Sequence, residues 1–179
     1  MESNPWNPEK PYILDFGRFS GKALEQLPFL PGFRIGGLYR SGYDYLLWLI
    51  ENHSNSELVR HALWVKNTID SKIPIVNCTQ KGCRSIARHV EKKTDSSGTS
   101  FGFSSEHFLF CDRHNEFYIS HKWDTAKLEF RNIHDFPHRV EREWFIRILK
   151  LAFLGSEDIK ITRKVTFNFL SGKPQLSLF

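Results

Sequence analysis

The sequence lacks any hydrophobic run long enough to cross a membrane, and it lacks a secretory start. Its longest apolar stretch covers only residues 45–50, whereas a transmembrane helix needs about 20 apolar residues. Residues 1–8 contain neither the basic start nor the apolar run of a signal peptide. We therefore expect a cytoplasmic protein without a membrane partner.

Cysteine is scarce, and its number is odd. Three cysteines in 179 residues cannot all pair within one chain, and a reducing cytoplasm favours thiols or metal ligands over disulfides. Cys78 and Cys83 form one pair, and Cys111 and His114 form a second pair further along the chain. Two such pairs on tight turns are a common way to assemble tetrahedral zinc. The spacing predicts a structural Zn²⁺ site made of these four side chains, with Gly82 turning the first pair back on the metal.

Other interpretations of the cysteines remain open. His107 could replace His114 as the fourth ligand. The three cysteines could also be buried thiols that bind no metal. Finally, Cys111 and His114 could form a nucleophile and its base, although no surrounding sequence signature supports that chemistry.

Neither sign of charge is in large excess. The chain has 25 basic and 20 acidic residues and a formal net charge of +5, so its surface attracts polyanions on average. This charge permits a DNA partner without proving one. The content of 40% hydrophobic and 15% aromatic residues is enough for a packed core in one sizeable domain or two small ones.

The spacing of apolar residues predicts an α+β fold. Helices are indicated at residues 43–52, after a cap at Ser56, and at residues 138–154. A helical turn at 23–27 should stop at Pro28. Short strands are predicted at 13–16, 73–76, 108–110 and 117–119, a longer strand at 159–169, and a glycine-rich loop at 31–42.

These elements suggest four parts of the chain. Residues 1–71 form a small strand-turn-helix module with an extended N-terminal arm, which Pro5, Pro8 and Pro11 keep extended. Residues 72–125 form a zinc-knuckle β subdomain. Residues 126–170 add a C-terminal helix and strand that complete the core, and residues 171–179 form a linker and a flexible tail.

The tail is the most specific sequence feature. After the linker at 171–174 come five residues, Gln175, Leu176, Ser177, Leu178 and Phe179. They resemble the pentapeptide by which bacterial replication and repair proteins bind the DNA sliding clamp: a glutamine, a leucine, a small or acidic residue, a leucine and a phenylalanine. The match covers these five positions alone.

The resemblance assigns a role to each position of the tail. It implies that Leu178 and Phe179 fill an apolar pocket on the clamp, that Leu176 packs beside it, and that Gln175 forms a hydrogen bond at its edge. The alternative is a last hairpin strand, in which 171–174 turn the chain back and the tail joins the core.

A second resemblance covers about a quarter of the chain near its N-terminus. Residues 16–28 and 45–49 are similar to the small module found at the C-terminus of exonuclease X. The similarity implies a compact strand-turn-helix unit in which Gly17 and Gly21 shape the turn, while Tyr45 and Trp48 pack behind it. The chain has no exonuclease domain and no Asp-x-Glu pair for a two-metal site, so exonuclease activity is not implied.

Basic residues in and after this turn are candidates for DNA contacts. Arg18 and Lys22 lie on the turn itself and could contact phosphates. Arg34 and Arg40 lie beside Phe33 and Tyr39, and such a mixture could bind single-stranded DNA by charge and stacking.

The sequence leads to three functional hypotheses. The first is a non-enzymatic accessory factor of DNA replication or repair that is held on the sliding clamp, near the nucleoid, and that positions DNA or a replication or repair enzyme. The second is a nuclease or nuclease subunit delivered by the same tail. The third is a zinc-stabilised DNA-binding or adaptor module whose tail is simply its last strand.

Overall fold

The computed structural model describes residues 11–92, 108–136 and 138–172, and it mixes helices with short antiparallel strands. The α-helices are α1 Gly42–Asn52, α2 Ser56–Asp70, α3 Asp112–Ser120, α4 Arg139–Leu154 and α5 Arg163–Leu170. The strands are β1 Phe33–Ile35, β2 Leu38–Arg40, β3 His89–Glu91, β4 Leu109–Phe110 and β5 Thr125–Lys127. Two 3₁₀-helices span Leu24–Phe29 and Phe130–Asp135. The α+β class is confirmed.

The N-terminal segment turns back on itself before the first 3₁₀-helix. The N–H of Gly21 donates to the carbonyl of Leu14 at 2.7 Å. Gly17 and Gly21 have φ values of 69° and 80°, so both glycines shape the turn as expected. The predicted strand at 13–16 is wrong, because Ile13 makes only an isolated bridge to Ala23.

The first 3₁₀-helix is held by its packing. It contains Pro28, so the predicted stop at that residue is wrong. All its side chains are buried, and burial outweighs the local cost of the proline. Glu25 Oε1 lies 2.8 Å from His61 Nε2 in α2, and the Gln26 amide donates to the carbonyl of Ile161 at 3.1 Å. These contacts join the 3₁₀-helix to α2 and to the segment before α5.

Residues 31–42 contain a hairpin, so the predicted glycine-rich loop is wrong. Strands β1 and β2 pair antiparallel across Gly36 and Gly37. Both glycines have positive φ, 55° and 82°, which is the backbone of a type I′ hairpin turn. The glycines therefore mark the tip of a hairpin, not an irregular segment.

Helices α1 and α2 confirm two predicted helices. At the start of α1 the Ser41 hydroxyl accepts from the Asp44 N–H at 3.1 Å, and the Asp44 carboxylate accepts from the Ser41 N–H at 2.7 Å. Asn55, not Ser56, caps α2 by accepting from the N–H of Glu57 at 3.0 Å. The expected cap is one residue too late because asparagine caps as well as serine.

The middle region contains a three-stranded antiparallel sheet in the order β4-β3-β5. Strand β4 confirms the strand expected at 108–110, but two other predicted strands are wrong. Residues 73–76 belong to no strand, and residues 117–119 lie in α3. Phe117 and Ile119 are exposed on that helix, so their apolar run does not mark a buried strand.

Helix α4 confirms the helix expected before Gly155, but the predicted strand at 159–169 is wrong. That segment contains α5, which begins after Thr162, whose hydroxyl accepts from the N–H of Val165 at 3.3 Å. Val165 and Phe169 are four residues apart, which is a helical spacing as well as an alternating one. The end of α5 is buried in the core.

One hydrophobic cluster contains buried side chains from the beginning to the end of the described chain, including Leu14, Tyr43, Val90, Phe145 and Leu170. The metal-site region, the N-terminal turn and α5 therefore contact a common core. Within residues 11–92, 108–136 and 138–172, no helix has the length and apolar content needed to cross a membrane.

The turn at Gly17 generates a stability prediction. A Cβ at Gly17 would overlap the Tyr45 hydroxyl, and the residue also has positive φ. Gly17→Ala should therefore cost about 1–2 kcal/mol for the backbone plus a steric term. Gly21→Ala is the matched control, because its φ is also positive but nothing lies within 4 Å of its added Cβ. Urea unfolding of both variants measures the difference.

A double mutant isolates the steric term. Removing the hydroxyl with Tyr45→Phe should recover part of the stability lost in Gly17→Ala, measured against Tyr45→Phe alone. Equal losses in Gly17→Ala and Gly21→Ala would contradict the contact between the turn and Tyr45.

Candidate metal centre and binding groove

The first cysteine pair lies on a tight turn. The N–H of Cys78 donates to the carbonyl of Ser85 at 2.8 Å, and the N–H of Cys83 donates to the carbonyl of Gln80 at 2.9 Å. Gly82 has a φ of 78°, so the expected role of this glycine in the turn is confirmed.

The second pair lies where β4 meets α3. Cys111 is the N-cap residue of α3, and His114 lies in its first turn, so the spacing of three places both on one side of the helix start. Thr79 links the two pairs. Its N–H donates to the carbonyl of Leu109 at 2.9 Å, and its hydroxyl accepts from the N–H of Leu109 at 3.1 Å.

The four predicted ligands come together as expected. His114 Nδ1 lies 3.3 Å from Cys78 Sγ and 3.4 Å from Cys111 Sγ. Cys83 Sγ lies 3.9 Å from Cys111 Sγ, and the four ligand atoms all lie within 4.8 Å of one another. Tetrahedral zinc, with bonds of about 2.3 Å to sulfur and 2.0 Å to nitrogen, would place such atoms about 3.5–3.8 Å apart. The cluster therefore has the chemistry and nearly the dimensions of a zinc site.

The thiols of the cluster lie in different environments. Burial raises the pKa of the Cys78 thiol, whereas a hydrogen bond with the backbone of Ser85 lowers the pKa of the Cys83 thiol. A bound metal ion deprotonates a coordinating thiol and compensates its charge. Four protein ligands would complete the tetrahedron, so this arrangement suits a structural metal.

Two alternatives for the cysteines are His107 as the fourth ligand and a nucleophile–base pair. His107 lies outside the described residues, and His114 supplies the nitrogen of the cluster. His114 Nδ1 faces two sulfur atoms at similar distances. A nucleophile and base need one such contact, so this geometry favours a shared ion.

A second candidate site is a groove of about 1010 Å³ between the Gly17 turn, the β1–β2 hairpin and α1. Aromatic rings line it. Trp48 stacks on Tyr45 with ring centroids 5.6 Å apart and is 47% exposed. Tyr45 also packs on Phe19 at 5.2 Å. Tyr45 thus packs behind the turn as the sequence analysis expects, while Trp48 opens onto the groove.

The hairpin register decides which side chains face the groove. Phe33 pairs with Arg40, and Ile35 pairs with Leu38. Paired residues share a face of a hairpin, and all four line the groove. Side chains alternate on either side of the two glycines. This pattern is typical of hairpin strands, and this face could have been predicted from it.

The four basic residues proposed for DNA contacts divide between two surfaces. Arg18 and Arg40 line the groove, whereas Lys22 and Arg34 do not, although all four are exposed. The guanidinium of Arg18 lies 5.4 Å from the centre of the Phe33 ring.

Tyr39 has no part in stacking on a nucleic acid. The side chain is 4% exposed, and its hydroxyl accepts from the N–H of Gly32 at 2.6 Å. The stacking role considered for this residue is therefore wrong, because the tyrosine lies on the buried face of the hairpin.

The charges of the groove are unequally compensated. Asp44 lies 3.3 Å from Arg142 and 3.4 Å from His134, besides capping α1. Arg18 and Arg40 form no salt bridge with any residue in the described ranges. The groove therefore presents two guanidinium groups that have no salt-bridge partner among the described residues, beside its aromatic rings and the Glu51 carboxylate.

The proposed clamp-binding residues Gln175, Leu176, Ser177, Leu178 and Phe179 lie outside the described residues. The chain just before them is well anchored. Phe169 packs on Phe29 with ring centroids 5.5 Å apart. Lys72 donates from Nζ to the carbonyl of Leu170 at 3.2 Å, and burial lowers its pKa.

Among the described residues, acidic side chains form no second metal-binding cluster. In the parts of the chain that the structure describes, no other group of three or more His, Cys, Asp and Glu side chains is arranged to hold a metal. Asp112 is instead paired with His89 at 2.8 Å and with Arg88 at 3.8 Å. These contacts give no specific support to a two-metal nuclease site.

Comparison with protein-family models, with curated proteins and with solved structures returns no significant match. The two resemblances of the sequence therefore stay predictions.

The metal centre generates a test by mutation. His114→Ala should abolish zinc binding and lower the free energy of unfolding by at least about 3 kcal/mol, because folding would lose its metal. His121→Ala is the matched control, since His121 lies next to the end of the same helix but outside the cluster. Elemental analysis and urea unfolding measure both effects.

If the cluster binds no metal, zinc content and stability should give a different result. Purified wild-type protein without zinc, or a wild type whose stability a strong chelator does not change, would contradict the zinc site. A Cys83→Ser variant adds a check, because this half-buried side chain contributes little packing and a large loss of stability would report on the metal.

Proposed function

We propose that the protein is an accessory factor of DNA replication or repair that binds the sliding clamp through Gln175–Phe179 and DNA through its folded body. The observation that carries the proposal is the pentapeptide itself, which has the required residue type at every position. Two apolar anchors on a short peptide are a typical hot spot for binding.

The fold before the tail supports this proposal over the hairpin alternative. A final hairpin requires a strand at 159–169 with which the tail could pair. Residues Arg163–Leu170 are the helix α5, whose backbone groups are used within the helix. The proposed first strand of that hairpin is therefore missing.

A zinc ion bound by Cys78, Cys83, Cys111 and His114 has a structural role in this proposal. The cluster lies beside the three short strands of the second sheet. These strands are only two or three residues long, and a metal would hold together the turns that carry its ligands. DNA contact is proposed for the body because the chain has a net charge of +5 and because Arg18 and Arg40 form no salt bridge with described residues.

Binding to a purified bacterial sliding clamp tests the proposal. Full-length protein should bind with a dissociation constant of about 1 μM, roughly 8 kcal/mol, because a peptide that must be ordered on binding is limited to such affinities. Leu178→Ala/Phe179→Ala should lose at least about tenfold of this affinity. Isothermal titration calorimetry measures both.

Two controls define the result. Ser177→Ala should bind like the wild type, because the motif needs only a small or acidic residue there. Circular dichroism should show the same melting temperature for all three proteins. A wild type that does not bind the clamp would contradict the proposal. A double mutant that unfolds would also contradict it and would indicate that the tail packs in the core.

A further inference from the structure

We propose that the groove between the Gly17 turn, the β1–β2 hairpin and α1 is the DNA site of the body, and that its ligand is an unpaired DNA strand. This inference rests on the proposed DNA-binding function and names its site and substrate class. Trp48 would stack on a base, and Arg18 and Arg40 would contact phosphates.

The aromatic rings of the groove favour unpaired bases. The indole of Trp48 already lies against Tyr45, so one ring is held in place while nearly half of its surface is open. A fixed, exposed ring binds a base without a cost for ordering its own side chain. In a duplex the faces of the bases are already stacked on one another. The exposed indole of Trp48 therefore favours single strands.

The arginines of the groove favour a phosphate backbone. Arg18 lies over the ring of Phe33, and Arg40 is the direct strand partner of the same phenylalanine. Both arginines are therefore neighbours of one aromatic side chain in the lining of the groove. Cations beside aromatic rings suit the phosphates and bases of a single strand.

The acids in the groove do not remove this preference. Asp44 is compensated by Arg142. Glu51 is the other carboxylate in the lining, against two arginines that form no salt bridge with described residues. An apolar peptide would have no use for both guanidinium groups. Charge complementarity thus favours a polyanion as the occupant.

Fluorescence anisotropy with a labelled oligothymidine, full-length protein and no clamp tests the site. Trp48→Leu should weaken binding about tenfold, and Trp48→Phe should restore most of it, because the stacking ring is the group that matters. Both side chains are apolar, and thermal unfolding should show that both variants fold.

Two arginines on opposite faces of the hairpin provide a variant and its control for the role of charge. Arg40→Gln should weaken binding and reduce the slope of log K against log salt by about 0.7, as expected for one lost phosphate contact. Arg34→Gln removes the same charge from the opposite face of the hairpin and should leave the affinity within about twofold. Equal effects of the two variants, or an unchanged Trp48→Leu, would overturn the proposed site.

The outcomes separate this site from the proposed function. Leu178→Ala/Phe179→Ala should bind the oligothymidine like the wild type even when it no longer binds the clamp. Binding to a labelled duplex but not to the single strand would overturn the groove while leaving a DNA-binding body. Clamp binding without binding to either DNA would overturn the groove and the DNA role together, and would leave the groove to an apolar peptide.

Discussion

The buried guanidinium of Arg142 is the interaction on which the arrangement of the fold depends. Arg142 extends from α4 and is 9% exposed. It donates to the carbonyls of Tyr39 and Phe136 and lies 3.3 Å from the Asp44 carboxylate. A charge so far from water is tolerated only when it is paired and hydrogen-bonded. The contacts therefore fix α4 against β2 and against the start of α1.

The contacts of Arg142 also hold two elements that border the groove, β2 and α1. Tyr39 and Arg40 are neighbours in β2, so the strand that Arg142 holds by its backbone also carries a cation of the groove. Asp44 accepts from Arg142 while it caps α1, the helix that carries Trp48. One buried cation thus contacts both the hairpin strand and the helix that border the groove. Such contacts would help to keep the proposed site preformed.

The sequence predicted those features that follow from local spacing or from the ligand chemistry of a few side chains. Helices α1, α2 and α4 follow from apolar spacing, and the cysteine cluster follows from the ligand chemistry of Cys78, Cys83, Cys111 and His114. The strand predicted at 159–169 failed because an alternating pattern in a short segment also contains the helical spacing of Val165 and Phe169. The contact between Arg142 and Asp44 was not predictable, because nothing local marks two charges 98 positions apart as partners.

The segment before the proposed clamp-binding tail and the turn beside the groove pack on the same core. The 3₁₀-helix Leu24–Phe29 touches α5 through Phe29 and Phe169, and it lies just after the turn that borders the groove. The Leu170 carbonyl is held by Lys72, so the chain that leads to the tail starts from a fixed point of the same core. Two weak contacts on one rigid body strengthen each other by effective concentration. If both contacts form, the length and composition of the linker before Gln175 would decide how strongly the clamp and the strand are bound together.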